Sequence, residues 1–314
     1  MRLPQIMITA TPDTPVRTDI FNSVIAGRAL VQEVNLPFSA CQRELELYWQ
    51  QLEPADAIFV RTGTIPAPLL RRCSHLRGIV LHGAGVDQVD TAAAANLGIK
   101  VVNLPGANAN AVAELTLGLI LASLRHIPRA DQLLRAAGWE SSRLLGAELR
   151  GRTVGLVGFG QIGQRVAALL QPFGVRLLVT SRSLPQVDSL EYEVVGLEAL
   201  LAASDIVSIH APLTDDTYQL LNKKRLALLK PGAFLVNTAR GAIIEQEALR
   251  AALLSGRLAG AALDVFDPEP LATDNPLLTL DNVILTPHLG GSTAECLAEL
   301  ARRGAVAVAQ LLAI

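Results

Sequence analysis

The sequence predicts an α/β chain built from two doubly wound domains. Three observations carry this. The chain has 314 residues, more than one ordinary hydrophobic core organises. Short apolar runs alternate with helical patches in two separate series. The second series opens on a glycine-spaced turn, "VGFGQIG" (Val157–Gly163), directly after a strand-like run.

In the first third, "QIMITA" (Gln5–Ala10), "AIFV" (Ala57–Val60), "GIVLHG" (Gly78–Gly83) and "KVVNLP" (Lys100–Pro105) read as strands. "PAPLLRRC" and "DTAAAANLG" read as connecting helices, the second closed by Gly98 as a C-cap. Strands separated by helices imply parallel pairing. "ANAVAELTLGLILASL" (Ala109–Leu124) lacks proline and is apolar on most faces, which predicts a long, largely buried helix and the hinge into the second domain.

From Gly151 the pattern restarts. Strands fit "TVGLVGF" (Thr153–Phe159), "VRLLVTS" (Val175–Ser181), "IVSIHA" (Ile206–Ala211), "AFLVNTA" (Ala233–Ala239), "GAALDVF" (Gly260–Phe266) and "NVILTPH" (Asn282–His288). Their near-continuous Val, Ile, Leu and Ala suit strands buried on both faces. The last segment, "TAECLAELARRGAVAVAQLLA", is an amphipathic helix expected to return to the first domain, so that two crossovers join the domains. The expected division is residues 1–104 plus 289–314 for one domain and 105–288 for the other.

Charge and composition exclude several classes. The formal net charge is −2 and no basic stripe is present, so nothing argues for nucleic acid or an anionic membrane. "MRLPQIMITATPDTP" is a poor signal peptide, and the longest apolar run, around Leu115–Leu124, is too short to span a bilayer. Cys41, Cys73 and Cys296 are scattered, which suits reduced thiols in a cytoplasmic protein. No His, Cys and Asp cluster has ligand spacing, so no metal is implied.

The glycine turn gains specificity from its surroundings. It follows a strand and precedes the helical "QRVAALLQPFG"; the next strand ends about 18 residues past the last glycine, as a dinucleotide fingerprint requires. Gly158 then makes the tight turn, Gly160 lets a pyrophosphate approach the backbone, and Gly163 packs helix on strand, with the helix N-terminus facing the anion. An NAD-selective turn usually has an acid after the second strand to accept the ribose hydroxyls. Here that stretch is "TSRS" (Thr180–Ser183). Arg182 can pair with a 2′-phosphate, and Ser181 and Ser183 can donate to it, which predicts NADP (NADPH) over NAD.

Three further stretches lie at strand ends, where open α/β sheets bind ligands. "VNTARGAII" carries Arg240, "LDVFDPEP" carries Asp264, Asp267 and Glu269, and "LTPHLGGST" carries His288. A histidine with an acidic partner is a tuned acid/base pair, and an arginine fork binds a carboxylate and polarises a carbonyl. Beside a nicotinamide, the three describe reversible hydride transfer to a 2-keto acid. Asp264 also suits a buried turn, Asp267 a solvated turn before Pro268, and His288 a satisfied strand end. His75, His82 and His126 show no partner pattern and read as ordinary residues.

With these motifs in order, together with "LHGAGVDQVD" and "NLPGANANAVAELTLGLIL", the chain resembles the D-isomer-specific 2-hydroxyacid dehydrogenases over essentially its whole length. The resemblance implies a Rossmann nucleotide-binding domain inserted into a flavodoxin-like substrate domain, and a homodimer joined largely by helices of the nucleotide domain. It implies that Arg240 grips the substrate carboxylate and carbonyl, that His288 donates the proton during reduction, and that Glu269 keeps His288 protonated. It implies cofactor contacts from Gln161 and Ile162 beside the glycines, from His210 near the adenine pocket with Ala211, Pro212 and Thr217, from Thr116, Thr238, Ala239 and Gly290, and from Asp264 to the carboxamide. Backbone N–H groups of Ala84 and Gly85 would cradle the substrate carboxylate, with Arg61 and Asn108 toward its far end. Gln88 stands where the family often has Asn, and Glu245 where Asp is common. "TSRS" resembles the NADP-preferring hydroxypyruvate and glyoxylate reductases. An NAD-dependent D-3-phosphoglycerate dehydrogenase, with Arg61 on the phosphate, is the alternative; a dinucleotide-sensing binding protein without turnover is a more remote one.

Overall fold

A computed structural model describes residues 2–37, 41–139, 144–182 and 189–314. The chain divides into two compact units, Met1–Asn108 with Gly291–Ile314, and Ala109–Gly290. The crossovers of this division fall at 108/109, where the long helix starts, and at 290/291, just after the His288 turn.

The first unit is a parallel sheet with helices between its strands. In chain order it holds β1 (Gln5–Ala10), α1 (Thr18–Ile25), β2 (Leu30–Asn35), α2 (Gln42–Leu52), β3 (Ala57–Val60), α3 (Ala67–Arg72), β4 (Gly78–Leu81), α4 (Thr91–Asn96) and β5 (Lys100–Val102). The strand order is β2-β1-β3-β4-β5, the flavodoxin-like order. Strands β3 and β4 are fully buried, and Phe59 stacks on Phe21 with ring centroids 5.2 Å apart. The closing helix, α11 (Ala294–Leu312), belongs to this unit. Its Gly304 lies against the Phe59 ring with no room for a Cβ, so the helix seats directly on the sheet. The Thr293 side chain caps it by accepting from Cys296 N–H.

The second unit begins with α5 (Ala109–Leu124) and α6 (Ile127–Arg135). Then follow β6 (Thr153–Val157), α7 (Gln161–Leu170), β7 (Arg176–Thr180), β8 (Glu193–Val194), α8 (Leu197–Ala203), β9 (Ile206–Ile209), α9 (Lys223–Leu226), β10 (Ala233–Asn237), α10 (Gln246–Leu254), β11 (Leu258–Leu263) and β12 (Val283–Leu285). The order β12-β11-β10-β9-β6-β7-β8 is parallel throughout and reverses direction between β6 and β9, the doubly wound dinucleotide arrangement. Neighbouring residues of one strand enter opposite cores: Leu156 packs with Phe159 and Val179, Val157 with Leu178 and Leu235. Burial on both faces is why these strands read as unbroken apolar runs.

Two kinds of difference from the sequence reading appear. Most strands stop two or three residues before the stretch read from the sequence does; β4 ends at Leu81, β9 at Ile209 and β12 at Leu285. The residues left over turn out of the ladder at the carboxyl edge. The sequence reading also lacked β2, β8, α1, α2 and α6. Strands β2 and β8 are edge strands with mostly exposed side chains, so they carry no apolar run.

Candidate active site

The glycine turn sits at the carboxyl end of β6, where the strand order reverses. Gly158 has φ +100°, and a Cβ there would lie 2.6 Å from Ala211 N. At Gly163 a Cβ would strike the Gly158 carbonyl, which fixes the close approach of α7 to the turn. Gly160 differs: a Cβ there would meet nothing within 4 Å. Its bare backbone therefore answers no packing need inside the unit. It is also the N-cap of α7, and no side chain caps that end. Gln161 is exposed and Ile162 half-buried beside it. An uncapped ten-residue helix with open space over its first turn fits the pyrophosphate of a dinucleotide.

Around this turn the predicted cofactor residues fall into fixed pairs. Thr116, fully buried on α5, meets Thr238 with hydroxyl oxygens 3.0 Å apart. Ala239 N–H donates to Asn237 Oδ1 at 3.0 Å. The His210 ring sits 2.9 Å from Ser208 Oγ, and burial pushes its imidazole down to about 4, so it stands neutral. Thr217 spends its hydroxyl on local backbone, donating to Pro212 O at 2.6 Å and accepting from Thr214 N–H at 2.7 Å. Ala211 and Pro212 precede that turn.

The TSRS stretch gains a partner that the sequence reading did not give it. Ser181 is half-buried and Arg182 exposed, while Ser183 lies outside the described residues. The stretch after β7 has no acid of its own, but an acid arrives from another strand. Arg182 Nη1 donates to Asp216 Oδ2 at 2.9 Å. The only sequence signal was the pair Asp215–Asp216 in the loop after β9, a strand that the sheet order places beside β6.

The acid/base groups collect at the ends of β10, β11 and β12. The β11–β12 register pairs Leu263 with Leu285, so Asp264 and the chain leading to His288 leave the sheet together. Asp264 is 1% exposed. Its Oδ1 accepts from Thr286 Oγ1 at 2.6 Å and Leu289 N–H at 2.7 Å, and its Oδ2 from Gly290 N–H at 2.9 Å. Burial raises the Asp264 carboxyl above its ordinary value despite those donors. Its observed work is to hold the turn that presents His288, a residue in the left-handed region at φ +53°. His288 Nδ1–H donates to Glu269 Oε2 at 2.8 Å. Glu269 Oε1 accepts from Phe266 N–H at 2.9 Å. Burial alone would raise the Glu269 carboxyl, but the His288 bond and charge, the Phe266 N–H and the Arg240 charge together hold it below the usual range. The carboxylate thus fixes the histidine's tautomer, leaving Nε2 at the other edge of the ring. Arg240 follows β10, half-buried, with Nη1 donating to Ala239 O at 2.7 Å and its own carbonyl accepting from Asn237 Nδ2 at 2.9 Å. Asp267 is exposed, as its turn reading requires.

The first unit carries its own polar group. The β3–β4 register pairs Val60 with Leu81, which sets Arg61 and His82 side by side past the strand ends. Arg61 Nη1 donates to His82 Nδ1 at 3.2 Å. Burial first, and the Arg61 charge second, push the His82 imidazole down to about 3. His82 thus has a partner, Arg61, that the sequence pattern did not show. Arg61 Nε, His82 Nε2 and Asn108 Oδ1 are buried and meet no hydrogen-bond partner among the described residues. Ala84 is exposed and Gly85 half-buried in the loop after β4, where Ala84 O accepts from Asn103 Nδ2 at 2.6 Å.

Fold and site define a nucleotide-binding oxidoreductase of the doubly wound α/β class. The family model for the D-isomer specific 2-hydroxyacid dehydrogenase NAD-binding domain matches residues 117–290. A hydroxypyruvate reductase of Thermotoga maritima is 41% identical over 86% of this chain and 89% of its own length. A D-3-phosphoglycerate dehydrogenase of Methanocaldococcus jannaschii is 40% identical over 84% of this chain, but the match spans only 51% of that enzyme. A solved acyclic imino acid reductase in complex with NADPH and D-Arg superimposes with a TM-score of 0.86 at 29% identity, covering 98% of this chain and 97% of that one. The chain belongs to the D-isomer specific 2-hydroxyacid dehydrogenases, and it is an NAD(P)-dependent enzyme of that family.

Proposed function

We propose that the protein reduces a small 2-keto acid, hydroxypyruvate or glyoxylate, to the D-2-hydroxy acid with NADPH. The observation that carries this is the His288–Glu269 bond of 2.8 Å with the Arg240 charge acting on the same carboxylate. The bound nicotinamide supplies the hydride. The turn from Gly158 to Gly163 and the first turn of α7 would hold its pyrophosphate. Arg240 binds the keto acid's carboxylate and draws electron density from its carbonyl. His288, carrying a proton on each ring nitrogen, releases the Nε2 proton to the carbonyl oxygen as it becomes an alkoxide. Glu269 stabilises the imidazolium before that step and holds the ring in place after it. The name and near-complete coverage of the Thermotoga relative support the substrate class.

The phosphoglycerate reading is kept for one observation: Arg61 is a buried guanidinium hydrogen-bonded to an uncharged histidine, which does not neutralise its charge and so suits an anionic substrate group. The test of both is loss of reduced-nicotinamide absorbance, with NADPH and NADH in parallel, over glyoxylate, hydroxypyruvate and pyruvate, and the reverse reaction with 3-phosphoglycerate. NADPH-linked turnover of the two small acids supports the proposal. Turnover confined to NAD and 3-phosphoglycerate replaces it.

The exposed Ile127, Leu134, Trp139 and Leu145 of the second unit support a homodimer formed through α6 and its neighbourhood. A monomeric mass by light scattering would remove that part. The free cysteines fit a cytoplasmic setting, checked by fractionating cells that express the protein.

A further inference from the structure

Arg182 and Asp216 reach each other from different strands. Arg182 follows the end of β7 at Thr180, and Asp216 lies in the loop after β9, which ends at Ile209. The sheet order sets β7 and β9 on either side of β6. Their ion pair therefore bridges the carboxyl edge of β6, the strand that ends in the glycine turn. Asp216 is held there by a built turn: Thr217 is buried, donates to Pro212 O and accepts from Thr214 N–H. The pair itself is open to solvent, with side chains 68% and 75% exposed. An exposed ion pair is weak and exchanges readily for a better anion. A phosphate dianion is a better anion for a guanidinium fork than one carboxylate oxygen.

We propose that Asp216 is a specificity-determining residue for the cofactor. Its carboxylate competes with a 2′-phosphate for Arg182, and it accepts a hydrogen bond from the 2′-hydroxyl of a ribose that lacks the phosphate. The acid missing after β7 is thereby supplied from β9. The inference rests on the reading of Arg182 as the 2′-phosphate ligand. With the phosphate bound, Asp216 is left as a like charge nearby, which weakens NADPH binding without reversing the preference. The pair makes the enzyme a moderate discriminator that accepts both cofactors.

The test uses the full chain and needs no turnover. Calorimetry measures 2′,5′-ADP and 5′-AMP binding to wild type, Asp216→Asn, Arg182→Gln and the double variant. Asp216 is exposed, so the substitution leaves the fold intact. The expected result is that Asp216→Asn raises the preference for 2′,5′-ADP over 5′-AMP by about three- to tenfold, and that the effect shrinks in the Arg182→Gln background. If Arg182→Gln abolishes the preference but Asp216→Asn moves it less than about twofold, the Asp216 inference fails and the Arg182 reading stands. If Arg182→Gln leaves the preference unchanged, both fail together.

Discussion

His82 and His288 are the same side chain put to opposite uses by their surroundings. Both lie just past the carboxyl end of a parallel strand. His82 is 9% exposed and faces a guanidinium, so it cannot hold a second proton and falls to about 3. The His288 side chain is 50% exposed and faces a carboxylate that is held ionised. One ring is therefore a fixed neutral acceptor for Arg61, and the other is the ring that the proposed reaction uses as its proton carrier. Strand-end position is common to both; the sign of the nearest charge sets them apart.

The largest break of that comparison removes the proposed proton carrier. His288→Ala is expected to lower kcat/KM for keto-acid reduction by about 10²–10⁴-fold, and steady-state kinetics at neutral pH check it. Near-full turnover would sink the mechanism.

Next, Glu269→Gln removes the negative charge and keeps the shape. A loss of about 10–100-fold in kcat is expected, read by steady-state kinetics, because the imidazole loses the carboxylate that orients it. The sign of the native pair's own acid limit follows from Glu269. Its carboxyl lies below the usual range in the fold, so the pair's contribution is present above the unfolded value and is lost as pH falls through the lowered one. A wild-type profile in which the pair fails well above the ordinary carboxylate range contradicts this.

Asp264→Asn breaks the shared support rather than either ring. One of the Leu289 and Gly290 N–H donors then faces an amide NH2, which costs about 1–3 kcal/mol, read as a drop in Tm of about 2–4 °C per kcal/mol together with a fall in kcat. Unchanged Tm with unchanged kcat would show that the turn holds His288 without the carboxylate.

The smallest effect sharpens the His82 side. A buried histidine kept neutral binds fewer protons than its unfolded form, so stability falls as pH drops from about 6.5 toward 3. Between pH 7 and pH 5 this amounts to at most about 2 kcal/mol for one histidine. The Tm of His82→Gln should therefore change less over that interval than the wild-type Tm. Equal slopes would assign the acid sensitivity to His210, which is also held low.

Several features were decided by the sequence alone. Unbroken Val, Ile and Leu runs meant strands covered on both faces, because a parallel sheet with helices on each side buries both. The spacing Gly158, Gly160 and Gly163 carried its meaning locally, since a turn is made by consecutive backbone angles. Arg240, Glu269 and His288 stood out because each followed an apolar run, and in a parallel sheet every strand delivers its carboxyl end to the same edge. What lay beyond the sequence was the identity of neighbours. Arg182 meets Asp216 34 residues away and Arg61 meets His82 21 residues away. The edge strands β2 and β8 were silent because half-exposed strands need no apolar run. Periodicity reports how a residue sits on its own element. Which charge stands opposite it is set by strand order and register, and these are fixed only when the whole sheet closes its cores.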